Sequence, residues 1–328
     1  MENSLRLPDE RYSVRIENDL RIEDFDNWIR SLDIGSERTA DTYKKNITRF
    51  IEYLQLNGID RPTQRDIIAY RDYLKETKKP TTVQGYMAAI KLFFKWTDDM
   101  HLYPDVAKNV KGVNVPITHK KDPFTVNQIK EILNSIDRTN LMGLRDYAMI
   151  LLMVTTGLRE ISVSLADIGD IHAQAFDQGA EVDYKTVLYY KGKGHQEKDL
   201  LVRIPPVTKY AIDAYLKERQ KKGGSVKGDC PLFTSLSKHN MDSRLTTRSI
   251  RRICVNHFNE TDIDMSRLST HSLRHSFATI NILQGGSLEE TQKALGHAQI
   301  TTTMIYNQAI TDANNQSEKR VADAIFSD

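Results

Sequence analysis

The run from Leu141 to Val154 is strongly apolar and too long for one ordinary strand, so it predicts a helix buried on all sides. A buried helix has to be wrapped by other elements. That fixes the middle of a globular domain around it. The run stops at Thr155, Thr156 and Gly157, and Arg159 follows at the start of the next short helix. An arginine directly behind a buried helix is held mechanically, and held groups are what catalytic geometry requires.

Upstream of this run the spacing is helical throughout. Phe25, Trp28, Ile29 and Leu32 mark a short amphipathic helix within 22–32. Ala40, Tyr43, Ile47, Phe50, Ile51 and Leu54 form one stripe over 37–57, closed by Gly58. Thr63 and Asp66 have the spacing of a capping box, and Ile67, Tyr70 and Leu74 follow as an inward face. A fourth helix over 81–100 buries Val83, Met87, Ile90 and Phe94 and turns Gln84, Lys91 and Lys95 outward. A proline-punctuated stretch, 104–123, carries Pro116 and His119-Lys120-Lys121 and is expected to be a basic linker. Thr125 with Gln128 opens the first helix of a second domain.

The period changes between 166 and 205. Val187 to Tyr190 and Leu200 to Ile204 read as two strands joined by the basic turn Lys191 to Lys198, with a third strand expected over 166–171. Helices resume over 207–221 and 247–258, the latter with Arg248, Arg251 and Arg252 on its surface. The expected fold is mainly α: a helical domain, then a mixed α+β domain with a small β-sheet. The boundaries expected are 1–20 for an extension, 21–103 for the helical domain, 104–123 for the linker, 124–310 for the second domain and 311–328 for a terminal helix.

Chemistry concentrates near the end. His271, Arg274 and His275 fall within five positions on one helical face. Arginine matches phosphate oxygens with a planar fork of donors, and histidine exchanges a proton near neutral pH. His297 follows in Leu295-Gly296-His297, and Tyr306 stands nine residues later.

The ordered set Thr-Gly-Leu-Arg159, Gly-Lys193-Gly, His271-x-Leu-Arg274-His275 and Leu-Gly-His297 followed by Tyr306 resembles the tyrosine recombinase (phage integrase, Xer-like) family. The resemblance spans the chain and implies a site-specific DNA recombinase. Tyr306 would be the nucleophile that forms a 3′-phosphotyrosine link. Arg159, Arg274 and His297 would hold the phosphate, and His271 would accept the tyrosine proton or orient the phosphate. Lys193, in competition with Lys191 and Lys198, would protonate the leaving 5′ hydroxyl, and His275 would support the site. No cofactor or metal is implied. Relatives often carry an acid three positions after the first arginine, where this chain has Ser162; Glu160 lies one position after it.

The family's helical domain lies over one face of a DNA duplex, which nominates Thr42, Lys45, Thr82, Gln84 and Lys91 as DNA contacts. Lys120, Lys121, Arg248 and Arg251 are further candidates. The partners implied are double-stranded DNA with a specific core site, a cyclic tetramer on two duplexes in which the terminal helix docks on a neighbour, and an accessory DNA-bending protein. Resolution of chromosome or plasmid dimers, a type IB topoisomerase-like activity and a non-catalytic DNA-binding protein are the alternatives. A zinc site at His271, His275 and His297 is another.

Composition enters as a limit. The 328 residues carry 27% charged and 39% hydrophobic residues and a formal charge of only +2, so any phosphate-binding face must come from local clustering. No apolar run is long enough to span a bilayer, and the N-terminus lacks a basic stretch followed by an apolar one. With two cysteines, Cys230 and Cys254, the chain suits a reducing compartment, and a cytoplasmic location is expected.

Overall fold

The computed structural model describes residues 22–31, 37–115, 121–177, 182–192 and 195–296, together with 320, 323, 325 and 326. The chain divides into two compact units, Met1–Thr118 and His119–Asp328.

The first unit is helical: α1 (Ile22–Ser31), α2 (Glu37–Leu56), α3 (Gln64–Thr77) and α4 (Pro80–Asp99). The expected stripes become its core, with Ile47, Phe50, Ile67, Ile90 and Phe94 fully buried. The Thr63 amide donates to the Asp66 carboxylate at 2.7 Å, which closes the capping box of α3. Pro80 starts α4 at a position where its missing N–H costs nothing. The stretch expected to be linker from residue 104 is partly core instead. Ala107 and Val110 are buried against the bundle, Arg71 donates to the Lys111 carbonyl, and the Val113 amide donates to Gln84. The apolar residues between Tyr103 and Val113 outweigh the prolines that flank them. Gln84 and Lys91 line a cleft of about 400 Å³ with Tyr43, Met87 and Gly112.

The second unit is built on α6 (Leu141–Thr156), the helix expected from the apolar run. It is preceded by α5 (Val126–Ser135), whose Thr125–Gln128 capping box is formed. After α7 (Glu160–Leu165) comes an antiparallel sheet of β1 (Ile171–Asp177), β2 (Val182–Tyr190) and β3 (Leu200–Arg203), in that order. The third strand is therefore β1, pairing Ile171 with Leu188 and Phe176 with Asp183, and does not lie over 166–171. Residues Ile168–Asp170 form a 3₁₀ turn because Asp167 and Asp170 cap each other, and Ile168 and Leu232 close bridges to Cys230 and Ala166. The remaining helices are α8 (Pro206–Lys221), α9 (Thr247–Asn259), α10 (Thr270–Leu283) and α11 (Leu288–Leu295). α6 packs chiefly on α8 and α10, so its far end is delivered to α10.

The expected N-terminal extension lies outside the described residues, as does most of the tail from 311. Of the tail, Arg320, Asp323, Ile325 and Phe326 are helical, and Ile325 and Phe326 are exposed. No helix among the described residues is long and apolar enough to cross a membrane.

Candidate active site

Two helix ends converge on one guanidinium. α6 terminates at Gly157, in the left-handed conformation (φ 66°), and α11 terminates at Gly296 (φ 59°). Glycine adopts this geometry without steric cost and stops both helices abruptly. Terminal carbonyls of a helix lack internal partners and carry the negative end of its dipole. Arg274 on α10 answers both ends: one terminal nitrogen donates to the Gly157 carbonyl and the other to the Leu295 carbonyl, each at 2.6 Å. The side chain is buried, and Gly157 beside it is packed closely, since a Cβ there would come within 2.7 Å of Leu295 and 2.8 Å of Phe277.

Arg159 emerges two residues beyond Gly157 as the N-cap of α7. It is half-buried and makes no hydrogen bond or ion pair with any described residue. The fixed Arg274 thus stands beside a cation whose donors are uncommitted. His271 opens α10 with an exposed edge and sits 4.7 Å from the His275 ring, in a T-shaped arrangement. The protein packed around its inner side, together with Arg274 and Arg159, pushes its pKa below the ordinary histidine value. His271 is therefore a neutral proton acceptor near pH 7, while the guanidiniums beside it stay charged.

The basic turn between β2 and β3 separates its lysines by role. Lys198 donates to Asp167 at 2.7 Å and to Asp170 at 2.5 Å, and Arg244 closes on Asp167 as well. Those partners commit Lys198 to anchoring the base of the turn and remove it from the competition for proton donor. The hydroxyl of Ser162 reaches the Lys191 carbonyl at 3.3 Å, so the residue in the place of an acid ties α7 to the other flank of the turn. Lys193 lies outside the described residues, as do His297, Tyr306 and Lys120.

Sequence reasoning missed the partner of Glu160. Its carboxylate accepts two bonds from Arg251 on α9, at 2.7 and 3.2 Å. Arg251, one of the expected DNA contacts, is exposed but already paired, whereas Arg248 is exposed and has no ion pair among the described residues. Lys121 is likewise engaged, donating to the Ser266 and Leu268 carbonyls. In the first unit Thr42, Lys45, Thr82 and Gln84 are exposed and Lys91 is half-buried; Thr42 bonds back to the Arg38 carbonyl. The acid–base alternation of Glu160 and Arg251 carried no sequence signal, because the two stand 91 positions apart.

As a chemical device, the arrangement offers one anchored guanidinium, a second without a partner among the described residues, and a neutral imidazole. It suits a tetrahedral phosphate that gains negative charge during reaction. Among the described residues no group of three histidine, cysteine, aspartate or glutamate side chains is placed to hold a metal ion.

The model of the "Phage integrase family" matches residues 123–312, and that of the "Phage integrase, N-terminal SAM-like domain" matches 22–102. The chain is 30% identical over 302 residues to a tyrosine recombinase XerD of Listeria innocua serovar 6a, covering 88% of this chain and 93% of the relative. Among solved structures, it resembles a XerH site-specific recombinase in a post-cleavage complex with its palindromic difH substrate (TM-score 0.66, 22% identity, 92% of this chain and 83% of that one). It also resembles a lambda integrase tetramer bound to a Holliday junction (TM-score 0.61, 15% identity, 88% and 79%). At these identities the two structures establish the fold.

Proposed function

The chain belongs to the phage integrase family of tyrosine recombinases, and from that membership we propose that it is a site-specific DNA recombinase acting through a 3′-phosphotyrosine intermediate. The observation that carries this reading is the pairing of an anchored arginine with an uncommitted one, Arg274 with Arg159, beside a neutral His271.

In the reaction, the Tyr306 oxygen attacks the scissile phosphorus and its proton passes to His271. A new P–O bond to tyrosine forms as the P–O5′ bond breaks, and the departing 5′ oxygen takes a proton from Lys193. Arg159, Arg274 and His297 donate to the two non-bridging oxygens as charge builds on them. The phosphotyrosine link keeps the bond energy, so a 5′ hydroxyl from another strand reverses the steps without ATP. His275 supports His271 by packing against it. The DNA is bound by the helical unit through Thr42, Lys45, Thr82, Gln84 and Lys91, and by Lys120, Lys121, Arg248 and Arg251 in the second; the existing contacts of Lys121 and Arg251 would have to open or be shared.

We assign the chain to integration, excision or resolution of a mobile element, in the cytoplasm, on the nucleoid. The Xer names of its relatives favour the second reading, resolution of chromosome or plasmid dimers. Strand exchange would take four subunits on two duplexes, with the exposed Ile325 and Phe326 of the terminal helix docking on a neighbouring subunit, and an accessory DNA-bending protein is an expected partner.

The test is a nicked duplex that traps the covalent intermediate, carrying a binding sequence selected by the protein itself from a random duplex pool. Wild type in EDTA and without ATP should give a protein–DNA adduct mapping to Tyr306 and a 3′ phosphate, and Tyr306→Phe should give none. Sequence-specific binding without an adduct would leave a DNA-binding protein.

A further inference from the structure

Tyr190 is the last residue of β2, directly before the basic turn, and its side chain is 4% exposed. Its hydroxyl oxygen lies against Gly296: a Cβ built there would stand 2.9 Å from it. Gly296 follows Leu295, whose carbonyl receives one arm of Arg274, so the phenol, the helix end and the guanidinium form one neighbourhood. The Tyr190 hydroxyl makes no hydrogen bond to any described residue. Buried tyrosines ordinarily find a partner for this group. The adjacent Tyr189, by contrast, donates to Gln174 at 3.0 Å.

We propose that the Tyr190 hydroxyl donates a hydrogen bond to one non-bridging oxygen of the phosphate held by Arg159 and Arg274, which makes Tyr190 a further catalytic residue. The inference rests on the recombinase reading above. The protonation state is the one a donor needs. Burial raises the phenol's pKa above its ordinary value and outweighs the opposing influence of Arg274 and Arg159, so the proton is retained at neutral pH. Placed on a strand, the donor is rigid and needs no reorganisation as charge develops. The structure also explains the bare glycine opposite. Any side chain at Gly296 would press on the hydroxyl as well as strain a left-handed backbone.

Tyr190→Phe keeps the ring and its packing and removes only the donor. The experiment measures single-turnover adduct formation by wild type and Tyr190→Phe on the selected nicked duplex with an ordinary scissile phosphate. It is repeated on the two methylphosphonate diastereomers, each with one non-bridging oxygen replaced by methyl. Loss of one donor to such an oxygen is expected to slow cleavage of the ordinary phosphate roughly 10- to 100-fold, with DNA affinity and thermal unfolding unchanged. On one diastereomer the two proteins should cleave at equal rates, because the oxygen that Tyr190 serves is absent; on the other the difference should persist. Equal rates on the ordinary phosphate would overturn the proposal, and so would the same defect on all three substrates, which marks a packing role. If wild type gives no adduct at all, the recombinase reading falls first and the role of Tyr190 with it.

Discussion

The two ends of α6 each gather a cluster of charged side chains with a histidine, and the two are opposite in kind. At the N-terminal end Arg145 and Asp146 are buried side by side at 2.7 Å, and Arg145 also donates to the Thr234 carbonyl. His257 bridges Asp146 at 3.1 Å and Glu260 at 2.9 Å. Its bond to Asp146 raises the pKa of His257 above the usual value, with Glu260 adding to the effect against the cost of burial. At the C-terminal end Arg274 is anchored, Arg159 has no partner among the described residues, and His271 titrates below the usual value. A cluster that exists to hold the fold closes its own circuit of partners. Among the described residues the other leaves positive charge uncompensated and a base unprotonated, an arrangement that an anion from outside would complete.

Substitutions can break that contrast. Arg274→Ala should strike both properties, abolishing adduct formation and also lowering stability, because two helix-end carbonyls lose their donor at a cost of about 1–3 kcal/mol each. Arg159→Ala should reduce cleavage by roughly 10²- to 10³-fold and leave the urea midpoint unchanged; a matching loss of stability would show that Arg159 is structural after all. Asp146→Asn should do the reverse. Stranding Arg145 in the core should cost about 3 kcal/mol in urea unfolding, while the cleavage rate per folded molecule stays that of wild type.

The histidines sharpen the comparison through pH. His271 must be neutral to accept a proton, and its pKa lies below 6.5, so the acid limb of the cleavage rate should fall below pH 6.5. Arg159→Ala removes one of the charges that depress it, so the residual activity should show that limb shifted upward. A wild-type limb at or above pH 6.5 would contradict the assignment. The smallest effect concerns His257. A raised pKa stabilises the fold fully below the unfolded value near 6.5 and loses that contribution as pH rises through the folded value. His257→Gln should therefore lower the melting temperature most below pH 6.5, with the gap to wild type narrowing at higher pH.

These two ends also mark where the sequence was legible. Stripes and capping boxes located α2, α3 and α5 because apolar period and cap spacing are written in neighbouring residues. β1 was misplaced because Ile171 to Asp177 mixes polar and apolar side chains on a sheet edge, where burial imposes little alternation. The site motifs pointed to Arg159, His271 and Arg274, but not to what distinguishes the two arginines. The partners of Arg274 are backbone carbonyls, which have no residue signature. Lys191 and Lys198 compete with Lys193 within one basic turn, where only the flanking glycines favour Lys193. Only the distant carboxylates of Asp167 and Asp170 single out Lys198 as an anchor.

The anchoring of Arg274 has a consequence for how such a chain can change over generations. In the proposed reaction the residue is at once a phosphate ligand and the fastening of two helix ends, so it cannot be dropped without rebuilding the joint. Arg159 carries no such second duty among the described residues. A lineage that abandoned strand cleavage but still bound its DNA should then lose Arg159 early and keep Arg274 long after. In such descendants, the surviving arginine would be a relic of chemistry preserved by architecture.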